Sequence, residues 1–145
     1  MKAQNPQKPQ SVVDLVQLKD SMSRFAMTMV SENGGFIPFA RTIGQNGKME
    51  AYGAGVSEQT QPVAIYELLR NAIRSLAQMR KIRASGLCVN VDVKLKGETV
   101  SAIRILLEHA EGAAIETRIK YTVTANGHYK FEPEESRIGQ RDVFA

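Results

Sequence analysis

Four consecutive residues, Glu108-His109-Ala110-Glu111, form the densest group of side chains in this chain that could move protons. A histidine beside carboxylates is the minimum for general-base work. His109, with Glu108 or Glu111 orienting its ring, is therefore the candidate catalytic set of a small hydrolytic or ligand-binding domain. Local geometry opposes this, because neighbours on a strand point to opposite faces and Glu108 and His109 cannot both meet one ligand. A hairpin-end histidine with a structural hydrogen bond is the simpler reading. His128 also lies beside a turn, and two histidines would supply two metal ligands. Successive turns of a meander fall at opposite or offset ends, however, and no acidic or cysteine ligand is spaced to complete a site. No metal and no cofactor are expected.

The remaining chemistry is thin. Cys88 with a distant histidine meets the bare requirement for a nucleophile, but it lies inside a strand without a flanking signature and reads as a buried thiol. Gly34, Gly35, Gly44, Gly47, Gly53 and Gly55 cluster around the first hairpin and form no phosphate loop. Gly53-Ala54-Gly55 could bring an anion to the following helix only across the residues leading to Pro62. The best anion or nucleic-acid surface is Arg70, Arg74 and Lys81 on one face of a basic helix over 62–83, with Arg80 and Arg83 nearby. No aromatic residue interleaves with these charges and Trp is absent, so a solvated helix face is the plainer reading.

The elements that must carry these residues follow from periodicity. Ser11 is an N-cap candidate with Asp14 three residues on, and Leu15, Leu18, Met22, Phe25, Ala26 and Met29 recur at helical intervals. Asp14, Gln17, Ser21 and Arg24 fall on the other side, and Asn33-Gly34-Gly35 ends the helix. Phe36 to Ile43 reads as a strand, with Pro38 placing it at a sheet edge or marking an irregular start. Asn46-Gly47 is a hairpin signal, and Met49 to Ala54 forms the return leg. A second helix opens at Gln61-Pro62, buries Ile65, Leu69, Ala72, Ile73, Leu76 and Ala77, carries Arg80, Lys81 and Arg83 in its last turn, and ends at Gly86. Alternation of period two then runs through Leu87–Leu95, Val100–His109 and Ala113–Val123, and a fourth leg from His128 stops at Pro133. The exposed side of this meander mixes Lys94, Lys96, Arg104, Arg118 and Lys120 with Asp92, Glu108 and Glu116, and reads as an ordinary wet surface. The expected fold is α+β, two helices packed on one face of a mainly antiparallel sheet in the order α-β-β-α-β-β-β-β.

A length of 145 residues, 43% of them hydrophobic, provides for one core. We expect a disordered tail over 1–10, rich in Pro and Gln, and a single domain over 11–145. A formal charge of +4 and a pI near 9.3 point softly to acidic partners. One cysteine allows no internal disulfide and fits a reducing compartment. No apolar run reaches membrane-spanning length, and the polar start does not read as a secretory signal, so the expected location is cytoplasmic.

Gly35-Phe36-Ile37-Pro38-Phe39-Ala40, the Asn46-Gly47 turn, Leu107-Glu108-His109-Ala110-Glu111-Gly112, Tyr121 and Val143-Phe144 together resemble segments of a group of small uncharacterised bacterial cytoplasmic proteins. The resemblance spans about residue 34 to the C-terminus and carries no activity or catalytic residue. Some members of that group are similar to immunity or accessory proteins of bacterial toxin systems, which implies a partner-binding role. Many immunity proteins are acidic, and this chain is basic. The expected function is a non-enzymatic protein–protein interaction module, binding a protein partner or a second copy of itself, with no membrane association. The ligand-binding or hydrolytic reading through His109 and the nucleic-acid reading through helix 62–83 stand behind it.

Overall fold

The computed structural model describes residues 8–53 and 60–145. Residues 1–7 of the expected tail over 1–10 lie outside them together with Ala54 and Gly55, as do the side chains of residues 93 and 95 that close the first alternation. The elements are α1 (Gln10–Asn33), β1 (Phe39–Gly44), β2 (Met49–Gly53), α2 (Pro62–Gln78), β3 (Ile82–Leu95), β4 (Glu98–His109), β5 (Ala114–Val123), β6 (Tyr129–Phe131) and β7 (Glu135–Ile138). The α+β class and the order α-β-β-α-β-β-β-β are as the periodicity predicts, with β7 added. The strands form one open antiparallel sheet in the order β2-β1-β3-β4-β5-β6, and β7 also pairs with β5. β6 and β7 occupy successive stretches of one edge of β5, on either side of Pro133, which has no N–H to give to the ladder.

The helices do not share a face. Leu15, Leu18, Met22, Ala26 and Val30 of α1 pack with Phe39, Ile43, Ala84, Cys88, Ile103, Ile105, Leu107 and Ile119. Ile65, Leu69 and Ile73 of α2 pack with Ala40, Ile82, Leu87 and Val143, and Leu106 borders them. Cys88 and Leu87 are strand neighbours, as are Leu107 and Leu106, so the two clusters lie on opposite sides of the sheet. The reason is composition at the centre. Ala84, Ser85, Gly86, Leu87 and Cys88 are all buried, the pattern of a strand covered on both faces rather than one. At Gly86 a side chain is sterically disfavoured, because an added Cβ would run into Met22 Sδ. Helix α1 approaches the sheet closely there.

Several boundaries also differ from expectation. Helix α1 begins at Gln10 after Pro9, without a side-chain cap, so Ser11 and Asp14 form no capping box. Gly34 ends α1 in the left-handed conformation, as expected. Strand β1 lies between β2 and β3, so of the two places expected for Pro38 the edge does not hold and the start does, with Pro38 directly before the first paired residue, Phe39. Helix α2 ends at Gln78, Arg80 adopts a left-handed φ of 56°, and β3 runs straight through Gly86. Arg80, Lys81 and Arg83 are therefore not its last turn. Phe25, expected inward, is exposed and stacks edge-on against Phe39 with the Arg41 guanidinium over its ring. Among the described residues no helix is long and apolar enough to cross a membrane.

Candidate functional site

The register of β1 against β3 slips by one residue between Ile43 and Gly44, so that Ile43 opposes Ala84 and Gly44 opposes Ile82. Arg83 is the extra residue of this bulge. A bulge re-aims a side chain, and here Ile82 faces the α2 cluster while Arg83 reaches Asp14 of α1 on the other side. Arg83 Nε donates to Asp14 Oδ2 at 2.9 Å and Nη2 donates to Oδ1 at 3.1 Å. Gln10 Nε2 donates to Oδ1 at 2.7 Å. His109, at the end of β4 opposite Ala84, completes the set with Nε2 at 2.8 Å from Asp14 Oδ2.

The tautomer follows from the partners. The Glu111 backbone N–H donates to His109 Nδ1 at 3.1 Å, so Nδ1 accepts and Nε2 carries the hydrogen to Asp14. His109 is 2% exposed and Asp14 1%. Burial pushes the Asp14 carboxyl up, but hydrogen bonds from Arg83, His109 and Gln10 outweigh it and hold the group below its ordinary value. Both ring nitrogens and both carboxylate oxygens are occupied within the protein. The network is a sealed pin between α1, the bulge and β4.

His109 therefore meets a carboxylate, but not one of those expected. Glu108 points to the opposite face, as strand alternation requires. Its oxygens accept the backbone N–H groups of Asp142, Val143 and Phe144 at 2.7 to 3.3 Å, docking the segment 139–144 and seating Val143 in the α2 cluster. Glu111 is exposed and gives His109 its backbone only. His128 lies at the far end of β5, and the described residues hold no group of three or more His, Cys, Asp or Glu side chains fit for a metal. Cys88 is buried against α1, and burial pushes its thiol pKa well up.

The α2 side of the sheet carries a different arrangement. Helix α2 covers β1 and β3 but leaves part of β4 and β5 open, and segment 137–142 walls the far side. Between them is a cleft of about 740 Å³ with Leu87, Leu106, Arg104, Glu108 and Glu116 among its lining, and Tyr66 and Arg70 on the helix. Glu116, 5% exposed, holds three guanidiniums. Arg104 Nε lies at 2.7 Å, Arg137 Nε at 2.8 Å and Arg118 Nε at 3.2 Å. Sheet register makes this unavoidable, because Arg104 sits directly opposite Arg118 and Arg137 directly opposite Glu116. Burial raises the Glu116 carboxyl, and the hydrogen bonds and charges of Arg104 and Arg137 bring it below its usual value.

At the other wall Asp142 takes an ion pair from Arg74, while Arg70 Nε stands 3.9 Å from Asp142 Oδ2 and makes no hydrogen bond. The cleft is lined by four arginines, Arg70, Arg104, Arg137 and Arg141, and three carboxylates, Glu108, Glu116 and Asp142, with Arg118 and Arg74 pairing to two of these carboxylates from beside it. Of the expected anion surface, Arg70 and Arg74 belong here. Lys81 does not, since α2 ends before it and Lys81 borders a separate hollow beside the β1–β2 hairpin. Arg104 and Arg118 were legible only as parts of a mixed wet surface, and Arg137 and Arg141 carried no signal without the fold. No protein-family model, curated protein or solved structure matches this chain.

Proposed function

We propose that this protein is a non-enzymatic binding module whose partner presents clustered negative charge to the arginine cleft. The observation that carries this reading is the surplus of guanidiniums gathered on too few carboxylates in a concave site. The sealed Asp14–His109 pair supports it from the other side, because a base with both nitrogens occupied and 2% exposure has no free lone pair for a substrate. The partner-binding role implied by the immunity-like resemblance agrees, with the charge reversed: the basic surface is this chain's, and the acidic one is the partner's. The reading covers an acidic protein segment, a smaller anion and an acidic patch on a second copy. A reducing, cytoplasmic setting goes with it, since Cys88 is buried and free.

The test is a titration at low ionic strength with three polyanions: hexaglutamate, tripolyphosphate and a short single-stranded RNA. At least one should bind, weaken as salt is raised, and be lost in Arg137→Glu while His109→Gln leaves binding intact. Absence of binding by all three would refute the cleft as a binding surface.

A further inference from the structure

The shape and lining of the cleft narrow its occupant further, and this step rests on the anion-binding reading above. We propose that the ligand is a small organic phosphate carrying a planar ring, a nucleoside phosphate in chemical class. Three features combine. The first is size: at about 740 Å³, with walls from α2, the sheet and segment 137–142, the cleft has the volume of a small-molecule site.

The second is unspent donors. The guanidiniums of Arg104, Arg118 and Arg137 carry about fifteen N–H groups, and the one carboxylate they share offers about four acceptor positions. Phosphate oxygens match the planar fork of arginine two at a time, so a phosphate group fits what Glu116 leaves unfilled. Arg70 Nε, buried and without a hydrogen bond, adds a donor on the opposite wall.

The third is an apolar end. Tyr66 lies on the α2 side beside Leu87 and Leu106, with the Arg70 guanidinium 6.0 Å above its ring. A planar ring can stack on such a tyrosine–arginine pair, while a simple inorganic anion gains nothing from it. The site is also preorganised. Glu108 holds the backbone of Asp142, Val143 and Phe144, and the Gly139 N–H donates to Ala114 O at 2.9 Å, so the far wall is fixed to the sheet before any ligand arrives.

The experiment is isothermal titration at low ionic strength, without divalent metal, of adenosine triphosphate, tripolyphosphate, hexaglutamate and an eight-nucleotide single-stranded RNA. The expected result is that the nucleotide binds about tenfold or more tighter than tripolyphosphate. Tyr66→Leu should abolish that preference while leaving tripolyphosphate binding unchanged. Arg137→Gln should weaken both; its side chain is 65% exposed and Glu116 keeps two other partners. Arg70→Gln serves as the second variant if the first loses its fold, since Asp142 retains Arg74. Equal affinity for nucleotide and tripolyphosphate would overturn the ring assignment and leave the anion cleft standing. Binding of hexaglutamate or RNA without the nucleotide would overturn the small-ligand class and likewise leave the cleft. Failure of all four would refute both proposals.

Discussion

Replacing Asp14 with alanine tests the pin between α1 and the sheet more directly than any other change. The substitution removes the acceptor of Arg83, His109 and Gln10 at once. Gln10 is exposed and turns to water without penalty, and the Arg83 side chain, 25% exposed, can follow in part. His109 cannot, so its Nε2–H is left buried without a partner at a cost of about 1–3 kcal/mol. Loss of the charge-assisted bonds to Arg83 adds about 1.5–3 kcal/mol, and the sum falls near the 3–5 kcal/mol typical of breaking a buried ion pair. For a chain of this size that lowers the melting temperature by roughly 10 °C.

Urea denaturation at pH 7, followed by circular dichroism, would measure the loss. A change below about 1 kcal/mol would refute the network as a fastening. The pH arm has a defined sign. The folded carboxyl is held below its unfolded value, so its contribution is full above the unfolded pKa of about 3.9 and disappears as pH falls through the folded one. The wild type should therefore lose stability in that acid window, and Asp14→Asn should show a flatter profile. A profile as steep as wild type in Asp14→Asn would assign the acid loss to other groups, Glu116 first among them.

Three other outcomes follow from particular contacts. Gly86→Ala pushes a methyl group against Met22 and within 3.3 Å of Leu107, and should cost about 1–3 kcal/mol by overpacking, partly recovered when Met22 is shortened to Val; a neutral effect in denaturant titrations would contradict the close approach of α1. Glu108→Gln keeps one acceptor oxygen where the carboxylate served three backbone donors, so hydrogen exchange at 142–144 should accelerate about tenfold or more while the core of β3 stays protected. Unchanged exchange there would mean that the C-terminal segment is held by something other than Glu108. Cys88 should resist thiol reagents at pH 8 and react once denaturant is added, because burial both hides it and disfavours the thiolate; rapid labelling of the native protein would show the α1 face to be open.

Much of the architecture was legible because local signals agreed with it. Pro62 opens α2, Gly34 closes α1, and Asn46-Gly47 forms the first hairpin turn. What was not legible depends on pairing across distance. A strand covered on both sides shows no clean alternation, and Leu106, apolar between Arg104 and Glu108 on the supposedly wet face, borders the second cluster. Asp14 looked like a surface acid, yet it stands on the four-residue row of Leu18, Met22, Ala26 and Val30 that becomes the buried ridge. An acid on that row needs buried partners, and the nearest in space is 95 residues away. The basic run Arg80-Lys81-Arg83 imitated a helix end because charge alone does not reveal where the backbone turns to a left-handed φ. The cleft was invisible for a similar reason: its arginines come from one helix, three strands and the C-terminal segment, and only strand register brings Arg104, Arg118 and Arg137 to one carboxylate.

The bulge at Arg83 has a consequence for how this chain tolerates changes of length. On the far side of the slip, partner numbers in β1 and β3 differ by a single residue from those on the near side. On the β4 side the Arg83 carbonyl accepts the Ala110 N–H at 2.9 Å, but deleting residue 83 would bring the two β1–β3 stretches into one continuous ladder, so that pairing itself does not need the position. The helix does, because only the extra residue turns a guanidinium out of the strand's alternation and onto Asp14. The α2–β3 junction is thus a place where a shorter chain would make a more regular β1–β3 pairing and a less firmly attached first helix.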